Sequence, residues 1–143
     1  YTQTQRKYYV AGITQNLKTY EVVDIYLKTG DPKYIIRTLG GLIMLDLNEC
    51  LAKKKMLKKT FDEIFPNLIT AEHVKSHEYD KTGDSKQYQQ VYYFGNASKR
   101  DNHIRIECDN WSNKFKEEEG FTDGLNIIVM TTEILDWIYS GYK

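Results

Sequence analysis

From residue 103 to residue 109 the chain reads His-Ile-Arg-Ile-Glu-Cys-Asp, which puts Ile104, Ile106 and Cys108 on one side of an extended backbone and Arg105 and Glu107 on the other. Side chains of a strand point alternately to opposite faces, so this spacing predicts a strand with one face buried and one face wet. Partner strands are legible around it. Residues 71–80 and 87–94 are polar and aromatic and are separated by the turn-forming Lys81-Thr82-Gly83-Asp84-Ser85, which predicts a β-hairpin. A second polar turn is expected over 97–102. Residues 125–130, entered through Asp123-Gly124, are apolar on both faces, as in a central strand. A short helix is expected from Ser112 or Asn113 through Glu119, closed by Gly120. A final helix is expected with Thr132 as cap, Ile134, Leu135, Ile138 and Tyr139 on its apolar face, and Gly141 at its end.

The first half has a different period. Val22, Val23, Tyr26 and Leu27 fit one face of a helix over 19–29, with Thr19 as cap and Gly30-Asp31-Pro32 as stop. Leu39, Leu42, Ile43, Leu47 and Leu51 recur at helical spacing after Thr38, although Gly40 and Gly41 each cost a helix about 1 kcal/mol relative to Ala. Leu57, Phe61, Ile64 and Phe65 make a third helical face, ended by Pro66. The expected fold is therefore α+β: N-terminal helices packed on a small, mainly antiparallel sheet of about four strands, with a C-terminal helix. One domain over 1–143 is expected, helical to about residue 70 and sheet beyond it. Ile104, Ile106, Ile127 and Val129 should be buried against Leu42, Ile43 and Leu47.

Composition narrows the classes. With 41% apolar and 28% charged residues and only 2 prolines, the 143-residue chain has a globular balance and the length for a real core. The apolar run at 42–45 is far short of the roughly 20 residues of a membrane helix, and the N-terminus is polar where a signal peptide is apolar. A soluble, cytoplasmic chain without membrane partners is the expectation, with room for an upstream piece removed before Tyr1. Twenty basic and twenty acidic residues cancel, so no whole-molecule field steers it to nucleic acid or an anionic surface. The basic residues are 16 Lys and 4 Arg, beside 13 Ile and 12 Tyr. That bias fits an AT-rich genome, such as a low-GC bacterium, a phage or another mobile element. Cys50 and Cys108 show no C-x-x-C spacing and are expected as buried, reduced thiols, with one disulfide between them as the alternative.

Few residue constellations suggest chemistry. His73 and His77, four apart and flanked by Glu72 and Glu78, have metal-ligand types and share a side, but a third ligand such as His103 would have to come from elsewhere in the fold. Glu117-Glu118-Glu119, with Lys114 four residues before Glu118, reads as a solvated helix face rather than a catalytic acid pair. Neither cysteine sits where a thiolate is favoured, and Gly40-Gly41 lacks the Lys-Ser/Thr of a phosphate loop. Lys53, Lys54, Lys55, Lys58 and Lys59 crowd seven positions and would suit phosphates. Tyr88, Tyr92 and Tyr93 lie on a predicted strand, where exposed rings would anchor a protein contact. The leading expectation is a small non-catalytic interaction protein, an inhibitor or regulator such as an anti-defence factor, binding a protein partner through those tyrosines and using no cofactor. A nucleic-acid module using the lysines is the alternative, and a metal-dependent enzyme at His73 and His77 the third reading.

Overall fold

The computed structural model describes residues 7–98 and 101–141. Its centre is one antiparallel sheet of seven strands in the spatial order β1-β2-β3-β7-β6-β5-β4. In chain order these are β1 (Tyr8–Ile13), β2 (Val22–Lys28), β3 (Ile36–Met44), α1 (Leu47–Ile64), β4 (Ile69–Ser76), β5 (Lys86–Tyr93), β6 (His103–Asn110), α2 (Asn113–Glu119), β7 (Gly124–Met130) and α3 (Thr132–Tyr139). The mixed α+β class stands. The N-terminal helices and the four-strand sheet do not: the helices expected over 19–29 and from Thr38 are strands β2 and β3, and seven strands pair in all.

The correction has a physical reason. Val22, Val23, Ile25 and Tyr26 are β-branched and aromatic residues that favour a pleated surface over a helix. Gly40 and Gly41, which burden a helix, are useful in β3, because the Tyr20 ring lies over Gly41 where a Cβ would come within 2.7 Å of ring carbons. Apolar residues on both faces of these strands removed the alternation that identifies a strand. The true helix start is Asp46, whose carboxylate accepts the Glu49 amide at 2.9 Å. Asp46 and Glu49 have the spacing of a capping box. The expected third helical face is the C-terminal half of α1, which ends at Phe65 before Pro66 as anticipated.

The second half follows the expected order closely, including the left-handed Gly120 that closes α2. Lys99 and Arg100, in the turn expected over 97–102, lie outside the described residues. α1 crosses β5, β6 and β7 on one face of the sheet. Ile43, Cys50, Tyr92, Ile104, Ile106, Cys108 and Leu125 are buried there, with Leu47, Leu51, Leu57 and Phe61 packed around them. Cys50 and Cys108 form a disulfide rather than two reduced thiols, tying α1 to the middle of β6. The pairing arises because Cys50 is on the inward face of α1 and Cys108 on the α1-facing side of β6, so the two apolar faces meet at the sulfurs.

α3 covers the opposite face at the other end of the sheet, where Tyr8, Ile134 and Leu135 are buried with Tyr26, Met130, Trp137 and Ile138 against them. The Tyr8 hydroxyl donates to Glu133 Oε1 at 2.8 Å, and Arg37 Nη1 lies 3.0 Å from Glu133 Oε2, so β1, β3 and α3 share one polar clasp. Among the described residues no helix is long and apolar enough to cross a membrane.

Candidate functional site

The tyrosine strand is part of the core. Tyr92 is 0% exposed under α1, its hydroxyl 2.9 Å from Asp62 Oδ1 and 3.1 Å from the Lys58 carbonyl oxygen. Burial and the Asp62 carboxylate both push this phenol well above its ordinary range. Tyr93, on the opposite face, is 7% exposed and lies edge-on to the buried His103. Tyr88 is half-buried against the α1 core. Strand β5 therefore offers packing, and little ring surface, to a partner.

The lysines divide. Lys54 is buried and pairs with Glu72 of β4 at 2.9 Å, and Lys58 pairs with Asp62 one turn along α1 at 2.6 Å. Lys55 and Lys59 are exposed and Lys53 is half-buried. Two of the five charges are thus committed to holding the helix, which breaks up the continuous basic stripe that phosphate binding would use.

The histidines are not gathered. His73 is exposed on β4, while His77 is buried beneath Trp111, ring centroids 3.9 Å apart. His103 starts β6 and lies at the far end of that strand from Asp109, the neighbour of His77. Burial lowers the pKa of both His77 and His103 below the ordinary imidazole value. Among the described residues no three His, Cys, Asp or Glu side chains are arranged to hold a metal ion.

Two surfaces that sequence reasoning passed over are more informative. The first is a polar row inside the fold, on the sheet face opposite α1. Gln87 Nε2 donates to Asp109 Oδ1 at 2.9 Å, Asn126 Nδ2 to Asp109 Oδ2 at 2.7 Å, and Gln89 Nε2 to Glu107 Oε2 at 2.6 Å. Arg105 Nε lies 3.1 Å from Glu107 Oε2, and His77 Nε2 lies 3.9 Å from Asp109 Oδ1. Gln87, Gln89, Glu107 and Asp109 are all buried. Burial, and then the nearby Glu107 charge, push the Asp109 carboxyl up to about 6. Both carboxylates accept hydrogen bonds from neighbours, so the row reads as an interior polar network, in which the buried Arg105 Nε lies close to Glu107 but makes no hydrogen bond.

The second surface is its inverse. On the α1 side of the sheet the helix lies chiefly over β5 to β7, and the cross-strand neighbours Ile13, Val23, Gly41 and Ile127, then Ala11, Ile25, Leu39 and Val129, continue past it. Tyr9, Ile13, Leu39 and Val129 are exposed there, and Val23, Ile25 and Ile127 are half-buried. Val129, expected in the core, is 40% exposed for this reason, whereas Ile104 and Ile106 are buried as expected. A cavity of about 130 Å³ lies between the Tyr20 ring, Val23, Leu39, Ile127 and Val129. A larger open hollow of about 410 Å³ lies between Met44, Asp46, Glu49, Phe121 and Asp123, where Asp123 is already paired to Lys116 at 2.6 Å. The apolar quadrant is visible in the sequence as the mostly apolar runs 22–27 and 36–44, whose spacing also fits helix faces. Comparison with protein-family models, curated proteins and solved structures finds no match to this chain.

Proposed function

We propose that this chain is a non-catalytic interaction domain that occupies the surface of a protein partner through the apolar quadrant of β1, β2, β3 and β7. The observation that carries the reading is an inversion of the usual distribution: a row of hydrogen-bonded polar side chains is buried, while Tyr9, Ile13, Leu39 and Val129 stand exposed on one face. Scattered apolar residues on a surface are ordinary, but a contiguous apolar patch marks a contact site. The partner surface expected from sequence at Tyr88, Tyr92 and Tyr93 moves to this quadrant, since those rings are largely enclosed. Inhibition or regulation is the action such a contact would have on an enzyme whose surface it covers.

The same proposal places the chain in an oxidising compartment rather than the cytoplasm expected from sequence, because disulfides persist where thiols are not kept reduced. The test is affinity capture from source-cell extract with the wild-type chain, Leu39→Lys and the Lys55→Ala/Lys59→Ala double variant, all checked by thermal melting. A specific protein held through high salt and nuclease treatment, retained by the lysine variant and lost with Leu39→Lys, supports the quadrant. Binding that weakens steadily with salt and depends on Lys55 and Lys59 would replace it with the nucleic-acid reading.

A further inference from the structure

The two edges of the sheet differ in a way that selects one of them for pairing. Edge strand β4 carries Glu72, His73 and Lys75, and charged side chains are the usual protection of an edge against adding a strand. Edge strand β1 reads Tyr-Tyr-Val-Ala-Gly-Ile, with no charge, and Val10 at its middle is 51% exposed. Among the described residues no strand pairs with the outer edge of β1.

The hydrogen-bond phase of β1 determines what that edge presents. The Thr29 amide donates to the Lys7 carbonyl at 2.9 Å, so Lys7 and Thr29 are a bonded pair. Bonded pairs alternate along an antiparallel ladder, so Tyr9, Ala11 and Ile13 turn their amides and carbonyls toward β2. Tyr8, Val10 and Gly12 turn theirs outward.

We propose that β1 is a strand-addition edge through which two copies of this chain join their sheets about a two-fold axis. The axis runs perpendicular to the sheet, midway between the two facing Ala11 residues. Such an axis keeps like faces together and sets outward-turned residues opposite one another, Val10 of one copy against Gly12 of the other. On the apolar face it sets Tyr9 against Ile13 of the other copy, an aromatic and β-branched cross-strand pair of the kind that stabilises sheets. Only the residue at the axis meets its own copy, so the difference between the edges is that β1 puts no charged side chain into the shared ladder, whereas β4 would put Glu72 and Lys75 there. The inference rests on the interaction reading in one respect, that the joined edges merge two apolar quadrants into one larger contact surface.

Sedimentation equilibrium over a dilution series tests it with the full chain. Wild type should dimerise reversibly, and Val10→Pro should weaken the dimer by at least about tenfold, because a proline at an outward-facing edge position leaves the β1–β2 ladder intact and blocks an added strand. Ala11→Cys should form an interchain disulfide readily under mild oxidant, while Val74→Cys on β4 should not. A wild-type chain that stays monomeric across the series, a Val10→Pro dimer of unchanged affinity, or cross-linking at Val74→Cys instead of Ala11→Cys would each overturn the proposal. Partner capture is read separately through Leu39→Lys. A monomeric chain that still loses its partner on Leu39→Lys removes only the dimer, and a dimer whose capture ignores Leu39→Lys removes only the partner surface.

Discussion

Replacing Asp109 by Asn isolates the cost of keeping a carboxylate inside the polar row. Asp109 is enclosed between Gln87, Asn126 and His77, with the Glu107 carboxylate beside it and Arg105 the nearest cation to that pair. Its folded pKa is pushed up to about 6 from an ordinary 3.8. Because the folded value lies above the unfolded one, the stabilisation linked to the bound proton is complete below the unfolded pKa and is lost as pH rises through the folded pKa. A gap of about two pH units at about 1.4 kcal/mol each gives about 3 kcal/mol, disappearing between pH 4 and pH 7. Asn carries no charge, and its amide can accept from Gln87 while donating to Asn126 once that side chain turns its amide over. The variant loses at most about one hydrogen bond, worth about 1 kcal/mol. Urea unfolding of wild type and Asp109→Asn at several pH values from 4 to 8 measures the difference directly, since titrations common to both chains cancel. The variant should be slightly less stable than wild type near pH 4 and more stable near pH 8, the difference rising by about 3 kcal/mol across the range. A difference that stays flat over the same range would show that Asp109 is not held in its neutral form by burial and by Glu107.

Two further outcomes follow from the α1 side. Intact protein should show no free thiol even in denaturant until a reductant is added, and the Cys50→Ala/Cys108→Ala variant should lose about 4 kcal/mol, the chain-entropy value for a loop closed over a separation of 58 residues, measured by urea unfolding. Tyr92→Phe should cost about 1 to 2 kcal/mol through the lost contacts to Asp62 and the Lys58 carbonyl, and Tyr92→Ala about 3 to 5 kcal/mol, while partner capture by Tyr92→Phe stays unchanged.

The readable part of this sequence is the part whose elements have one apolar and one polar face. Residues 103–109 alternate because α1 lies on one side of β6, and the strand appears where the alternation places it. The same alternation predicts a wet face for Arg105 and Glu107, where Glu107 is buried: polar side chains identify the face away from the apolar core, but not whether neighbouring Gln87, Gln89 and Asn126 enclose it. Strands β2 and β3 resisted reading for the opposite reason. Their apolar residues lie on both faces, one toward α3 and one in the exposed quadrant, and an apolar run without alternation fits a helix as easily as a strand. Two local signals pointed the right way. The glycine pair is poor in a helix interior, and Asp46-x-x-Glu49 marks a helix start eight residues after the Thr38 chosen for it.

The placement of the disulfide and the exposed quadrant are two consequences of one architecture. Each helix covers about half of one sheet face, α1 over β5 to β7 and α3 over the β1 to β3 end of the opposite face. A sheet covered in this diagonal way buries less apolar surface than one enclosed on both faces, and a chain of this size has little core to spare. The Cys50–Cys108 link holds α1 on β6 covalently and so offsets part of that shortfall without requiring the β1 to β3 half of the same face to be covered. Among the described residues no helix covers that half, and its apolar neighbours are already held in register by β2, β3 and β7, with an uncharged edge at the border. A partner of the kind proposed would meet a surface whose ordering entropy has been spent in folding, which is the condition under which a modest apolar area gives useful affinity.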